Sequence, residues 1–245
     1  FGDLLDMLEE IAPADGWMIP SIGADYGKAM DQVAILKGRD FPTAMVLPLM
    51  FPATPAGIAT GIRKLSDAYG KPLVAYIKSG GFIEPKDLAS LLADGVVCSV
   101  KYAAVRENPS DDPYLRSLVD AAGTELIVSG IGERPAVVHL QEFGLTGFTS
   151  GSVCIAPQLS TNLLKLLQDG KPEEAEELRQ VFLPLEDLRD GISPLRVLHA
   201  AVEGAGIAET GPMGPFLSAI EDNGQLKAIA QAAAELRNLE LTARI

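Results

Sequence analysis

Histidine and cysteine are scarce: the 245 residues contain only His139, His199, Cys98 and Cys154. Four such residues, far apart along the chain, show no spacing suited to a zinc centre. The two cysteines lie in apolar runs and read as small hydrophobes, not as a disulfide framework or a redox pair. Basic residues are also few. Twenty Lys and Arg stand against 33 Asp and Glu, for a net charge of −13 and a pI near 4.6. That balance excludes the basic stripe a nucleic acid needs and sets the chain against an anionic membrane. No apolar run approaches the ~18 residues of a membrane span, and no signal-peptide pattern is present. The expectation is a soluble protein of a reducing compartment, most simply the cytoplasm. A small anionic substrate would have to be captured locally, because the field of the whole molecule repels it.

What the chain does have is alternation. Short, apolar, strand-like runs occur at Trp17–Gly23, Thr43–Leu49, Pro72–Ile77, Val96–Ala103, Glu125–Gly130 and Gly147–Ile155. Helical patterns lie between them, near Asp25–Lys37, Pro55–Tyr69, Glu84–Leu92, Asp112–Ala121, Glu133–Phe143 and Pro157–Gln168. Thr54-Pro55 and Glu84-Pro85 are helix-start signals. Strands apolar on both faces, separated by helices, predict a parallel sheet in an α/β fold, either a barrel or an open doubly wound sheet. The chain opens with a helical pattern (Leu4, Leu5, Leu8, Ile11) and no Met. A closed (β/α)8 barrel has eight units, so six units predict that the first two strands precede Phe1 and that the intact protein is longer. After residue 168 the pattern becomes helical throughout: Pro172–Arg189, Ser193–Ala205, Pro212–Ile220 and Gly224–Leu239. The expected organisation is a barrel portion over 1–168 and a C-terminal helical extension over 169–245.

In βα barrels the chemistry lies at the C-terminal ends of the strands. There the salient residue is Lys101, inside Val96-Val97-Cys98-Ser99-Val100-Lys101-Tyr102. Desolvation lowers the pKa of a strand lysine and makes its amine nucleophilic, as a Schiff-base lysine requires. The plainer reading is a strand-end lysine that reaches solvent or pairs with a carboxylate. Tyr76 closes the preceding strand, and neighbouring strands lie about 4.8 Å apart. A phenol and an amine can therefore meet at the mouth. Other strand ends contribute Lys78, Ser129-Gly130, Glu133-Arg134 and Ser150-Gly151-Ser152, with Arg106 nearby. Lys78 reads equally as a solvated loop lysine, and Arg106, Glu133 and Arg134 read more simply as surface pairs.

The order Tyr76, Lys101, Ser129-Gly130, then Gly147-Phe148-Thr149-Ser150-Gly151-Ser152 and a helical tail, resembles the dihydrodipicolinate synthase / N-acetylneuraminate lyase family. The resemblance implies a (β/α)8 barrel with C-terminal helices, commonly a homotetramer, and a class I lysine-dependent aldolase or dehydratase. It implies Lys101 as the imine-forming lysine and Tyr76 as the proton relay. Lys78, Ser129, Gly130 and Thr149 become candidate substrate contacts, and neither metal nor organic cofactor is expected. The family's carboxylate-binding Gly-Thr/Ser-Thr-Gly-Glu loop would precede Phe1. Two departures argue against dihydrodipicolinate synthase activity itself. Tyr76-Ile77-Lys78-Ser79-Gly80-Gly81 has no counterpart to the family's substrate-gripping arginine, and Met50-Phe51 stands where a relay tyrosine pair is expected.

The leading expectation is thus a lyase acting on a pyruvate-like 2-oxo acid, as a homo-oligomer (tetramer or dimer). The alternative is a weak or inactive barrel paralogue that binds a small 2-oxo acid. A flavin- or phosphate-dependent barrel, permitted by Gly130-Ile131-Gly132 and Ser150-Gly151-Ser152, rests on fold analogy alone.

Overall fold

A computed structural model describes residues 1–13 and 15–243. The chain falls into two compact units, one of residues 1–130 with 143–146, the other of 131–142 with 147–245. The boundary expected after residue 168 does not coincide with this division.

The first unit alternates helix and strand: α1 (Gly2–Ile11), β1 (Ser21–Ile22), α2 (Tyr26–Leu36), β2 (Ala44–Val46), α3 (Pro55–Tyr69), β3 (Leu73–Ile77), α4 (Pro85–Ala93), β4 (Val97–Tyr102), α5 (Pro113–Ala122) and β5 (Ile127–Ser129). The helices begin where capping chemistry dictates. Asp25 accepts the Lys28 N–H at the start of α2, Thr54 the Gly57 N–H at α3, and Asp112 the Leu115 N–H at α5, each satisfying a donor that has no intrahelical partner. Pro55 and Pro113 follow two of these caps in the first turn, where no N–H is needed.

The five strands form one parallel sheet in sequence order. Alternation sorts its residues onto two faces. Ile22, Ala75, Ile77, Val100, Tyr102, Ile127 and Ser129 are buried on one face, with Val46 half-buried among them, and Tyr102 on it meets Tyr114 of α5. Tyr76, Lys101 and Val128 lie side by side on the opposite face, each half-buried. One irregularity fixes this pairing. Leu73 lies opposite Val97, but Val74 lies opposite Ser99, so β4 carries one extra residue, Cys98. Without that bulge Tyr76 would face Val100, and the lysine would slip out of line with it.

The second unit is helical: α6 (Ala136–Glu142), a 3₁₀ turn (Ser152–Cys154), α7 (Pro157–Gln168), α8 (Pro172–Gln180), α9 (Leu183–Gly191), α10 (Pro194–Gly204) and α11 (Asn223–Thr242). Ile155, Leu159, Phe182, Leu185, Val197, Ile229 and Leu236 are among the residues of its core. Glu240, at the far end of α11, accepts the Gln158 and Leu159 N–H groups. It thereby caps α7, whose own N-cap residue is Ala156.

Three expected elements differ. The strand expected over Gly147–Ile155 is reduced to an isolated bridge residue at Phe148. The Ser150 hydroxyl accepts the Ser152 N–H at 2.9 Å, a side-chain bond that turns the backbone away from extension. The helix expected over Pro172–Arg189 is two helices. Pro184, in the first turn of α9, has no N–H for the Gln180 carbonyl and disfavours helix before it. Pro212–Ile220 is not helical; Arg196 instead holds the Ser218 and Ala219 carbonyls at 2.7 and 2.8 Å.

Candidate active site

Lys101 and Tyr76 meet. The register sets them opposite one another at the C-terminal ends of β4 and β3, and the Lys101 Nζ stands 4.8 Å from the Tyr76 ring centroid. The lysine stem reaches this position by crossing Gly130. A Cβ at residue 130 would come within 2.6 Å of Lys101 Cγ and 3.0 Å of its Cε, closer than real contacts allow. Gly130 is itself fixed by its N–H, which donates to the Tyr102 carbonyl at 2.6 Å. Glycine here provides the space through which the amine reaches the ring.

Lys78 joins the same ring from the turn after β3, its Nζ 6.0 Å from the Tyr76 centroid. It is exposed. Ser129 is not brought to the amine by its side chain, because it aligns with Tyr102 on the opposite, buried face. Only its backbone adjoins the site through Gly130. Thr149 lies in the second unit, exposed, its carbonyl accepting the Gly132 N–H at 3.1 Å.

The other charged candidates are committed to structure. Arg106 pairs with Asp112 at 3.1 Å. Tyr102 Oη donates to the same carboxylate at 2.6 Å. Burial alone would raise the Asp112 pKa, but the bonds from Arg106, Tyr102 and the Leu115 N–H outweigh it and hold the carboxyl below its ordinary value. Burial, reinforced by Asp112, pushes the Tyr102 phenol far up, so Tyr102 is a fixed donor and not a proton shuttle. The Asp112-Pro113 cap signal marks this network in the sequence, though its link to Tyr102 depends on the fold. Arg134 pairs with Asp187 and Asp190. Glu133 is wholly buried, accepting from Ser150 at 2.6 Å and Ser160 at 2.7 Å.

Met50 and Phe51 are exposed, Phe51 to 86%. Phe51 lines an apolar cavity of about 500 Å³ whose walls also include Leu47, Leu49, Ile58 and Leu65. Neither Met50 nor Phe51 can pass a proton. Cys98 is half-buried and Cys154 exposed, and both are free thiols. Among the described residues no group of three or more His, Cys, Asp and Glu is placed to hold a metal ion, and no helix is long and apolar enough to cross a membrane.

No protein-family model matches the chain. A 4-hydroxy-tetrahydrodipicolinate synthase of Methanopyrus kandleri is 27% identical over 175 residues, covering 69% of this chain and 56% of the relative. The match thus spans little more than half the length of that protein. Among solved structures, dihydrodipicolinate synthase from Oceanobacillus iheyensis superposes with a TM-score of 0.83 at 19% identity, over 97% of this chain and 78% of that one. The Thermotoga maritima synthase gives 0.80 at 20% identity, over 96% and 80%. A prophage protein of the dihydrodipicolinic acid synthase family from E. coli K12, solved in complex with pyruvate, gives 0.76 at 17% identity, over 96% and 79%. The fold is therefore that of the synthase (β/α)8 barrels, of which this chain carries a five-stranded portion and the helices that follow. The curated match and the solved structures agree: the chain is similar to proteins of the dihydrodipicolinate synthase family and shares their fold.

Proposed function

We propose that the chain belongs to a lyase, an aldolase or dehydratase, that acts on a pyruvate-like 2-oxo acid through a Schiff base on Lys101. The observation that carries this reading is the Lys101 amine, threaded over Gly130 and held at the ring of Tyr76. An amine half-withdrawn from water at a barrel mouth is a nucleophile for a ketone. Addition to C2 forms a C–N bond, and loss of the former ketone oxygen as water gives a protonated imine. That imine is an electron sink. It lets C3 release a proton, lets the C3–C4 bond break with departure of an aldehyde, or lets a leaving hydroxyl depart as water after proton loss. Tyr76 is the proton donor and acceptor for these steps. The imine supplies its own electron sink, so the proposed chemistry calls on no metal or organic cofactor.

The backbone of Ser129 and Gly130 offers polar groups to the substrate carboxylate, Lys78 a cation at the mouth, and the backbone around Thr149 a further contact. The Gly80-Gly81 turn and the Met50-Phe51 pair favour a substrate other than that of the synthases. We place the protein in the cytoplasm, as a homotetramer or homodimer with a small 2-oxo acid as its partner.

Incubation with pyruvate and sodium borohydride, read by peptide mass spectrometry, tests the proposal. The expected result is a reduced adduct on the Lys101 peptide, absent in Lys101→Ala. Absence of any adduct on folded protein, with bulkier 2-oxo acids as well, would remove the lyase reading. A paralogue that only binds 2-oxo acids would then lead, a reading the exposed Met50 and Phe51 favour; it would show ligand stabilisation without a covalent product.

A further inference from the structure

Two ammonium groups converge on one aromatic ring. Lys101 Nζ lies 4.8 Å and Lys78 Nζ 6.0 Å from the Tyr76 centroid, so the two nitrogens are no more than about 11 Å apart. Among the described residues Lys78 forms no ion pair with a carboxylate, although the chain as a whole carries 33 acidic side chains. Arg106, whose Nη2 would lie 3.2 Å from a Cβ at Gly80, is the next cation along this rim. Its charge is balanced by Asp112. Val128, beside Lys101 on β5, is apolar. Among the described residues, then, no ion pair with a carboxylate offsets the charge that Lys78 directs at the Tyr76 ring.

We infer that Lys78 is a positioning residue that acts through Lys101: its fixed positive charge disfavours a second ammonium at the same ring and so keeps more of the Lys101 amine in its neutral, nucleophilic form. The inference deepens the proposed Schiff-base chemistry and rests on Lys101 being its nucleophile. The physical logic is that of like charges, each of which lowers the proton affinity of the other, a device known to activate amine nucleophiles. Tyr76 links the pair, since the face of its ring attracts both cations. At this separation, and with the effective dielectric of a protein surface, the effect amounts to roughly half to one pH unit at low ionic strength. Because Lys78 is exposed, salt weakens it.

The test separates this role from recruitment of an anionic substrate by using a neutral reagent. Lys101 is reductively methylated with formaldehyde and cyanoborohydride across a pH series. The extent of labelling at the Lys101 peptide is read by mass spectrometry in the wild type, Lys78→Gln and Lys78→Arg. The expected result is a labelling midpoint raised by roughly half to one pH unit in Lys78→Gln. It should be retained at the wild-type value in Lys78→Arg, and the difference should shrink in 1 M salt. Coincident midpoints for wild type and Lys78→Gln would overturn the inference. So would an equal shift in Lys78→Arg, which would mark a packing effect. Circular dichroism and labelling of Lys64, on α3 of the same unit, serve as folding controls. The pyruvate–borohydride adduct, measured in the same three proteins, reports separately on the Schiff-base reading. A Lys101 midpoint that responds to Lys78 without any pyruvate adduct would uphold the charge coupling and remove the lyase.

Discussion

At the scale of single residues, the site depends on a side chain that is absent. Gly130 has ordinary need of neither a turn nor a left-handed backbone, since it is not among the positive-φ glycines. Its requirement is steric, imposed by the Lys101 stem 2.6 Å from where a Cβ would sit. Gly130→Ala is therefore expected to displace the amine from the Tyr76 ring. The pyruvate–borohydride adduct should fall at least tenfold, while far-ultraviolet circular dichroism stays unchanged and thermal stability drops by about 1–3 kcal/mol, as overpacking costs. An adduct yield equal to the wild type would show that the lysine has a second route to its position. The meeting of Lys101 and Tyr76 is legible in sequence because they close neighbouring strands; the space that Gly130 leaves for the lysine stem is not, since the sequence marks Gly130 only as a candidate substrate contact. Ser129 shows what order alone cannot give: one step along the strand from the backbone the site uses, its side chain points the other way.

At the scale of elements, helices whose ends are written in local chemistry are the ones the sequence predicts closely. The expected bounds of α3 and α7 coincide with those observed, because Pro55 and Pro157 mark where they start. The apolar run at 147–155 reads equally as strand, and what decides against it is remote. Ser150 is drawn to Glu133, 17 residues earlier, and Glu133 in turn is gripped by Ser160 at the start of α7. No local pattern contains that information, nor the bulge at Cys98, which follows from pairing with β3.

The same cluster makes a pH prediction. Glu186 of α9 is 2% exposed, and its Oε1 accepts the Glu133 N–H at 3.0 Å. Burial first, and the nearby Glu133 carboxylate second, push its pKa up from 4.5 to about 8, with Arg189 and Arg134 opposing. Between pH 4.5 and 8 the unfolded chain releases this proton while the folded chain keeps it, so Glu186 makes the folded state less stable as pH rises through that window. Glu186→Gln keeps an acceptor for the Glu133 N–H and removes the titration. Urea unfolding at pH 5 and pH 8 should therefore show a smaller loss of stability for the variant. Its advantage at pH 8 is expected to be on the order of a few kcal/mol. Equal slopes in both proteins would place the proton elsewhere in the cluster.

At the scale of the whole molecule, the net charge of −13 opposes the approach of an anion such as the proposed 2-oxo acid, and two lysines on one ring would offset it locally. Lys101, Lys78 and Tyr76 belong to the first unit, whereas Thr149 belongs to the second. Whether substrate engages both units is measurable by hydrogen exchange on the reduced pyruvate adduct against the untreated protein. Lys101, Tyr76 and Gly130 predict slowed exchange in residues 74–78, 99–104 and 128–131, where the bound acid orders the strand ends. The proposed role of the Thr149 backbone predicts slowed exchange in 147–151 as well. Helices α8 and α10, which contribute no candidate group, should exchange as before. Protection confined to the first unit would remove Thr149 from the substrate contacts and leave Lys101 and Tyr76 untouched. Protection spread evenly over both units would instead mean that the adduct stabilises the whole chain, and the contact at Thr149 would then have to be decided by Thr149→Pro, which removes its backbone N–H.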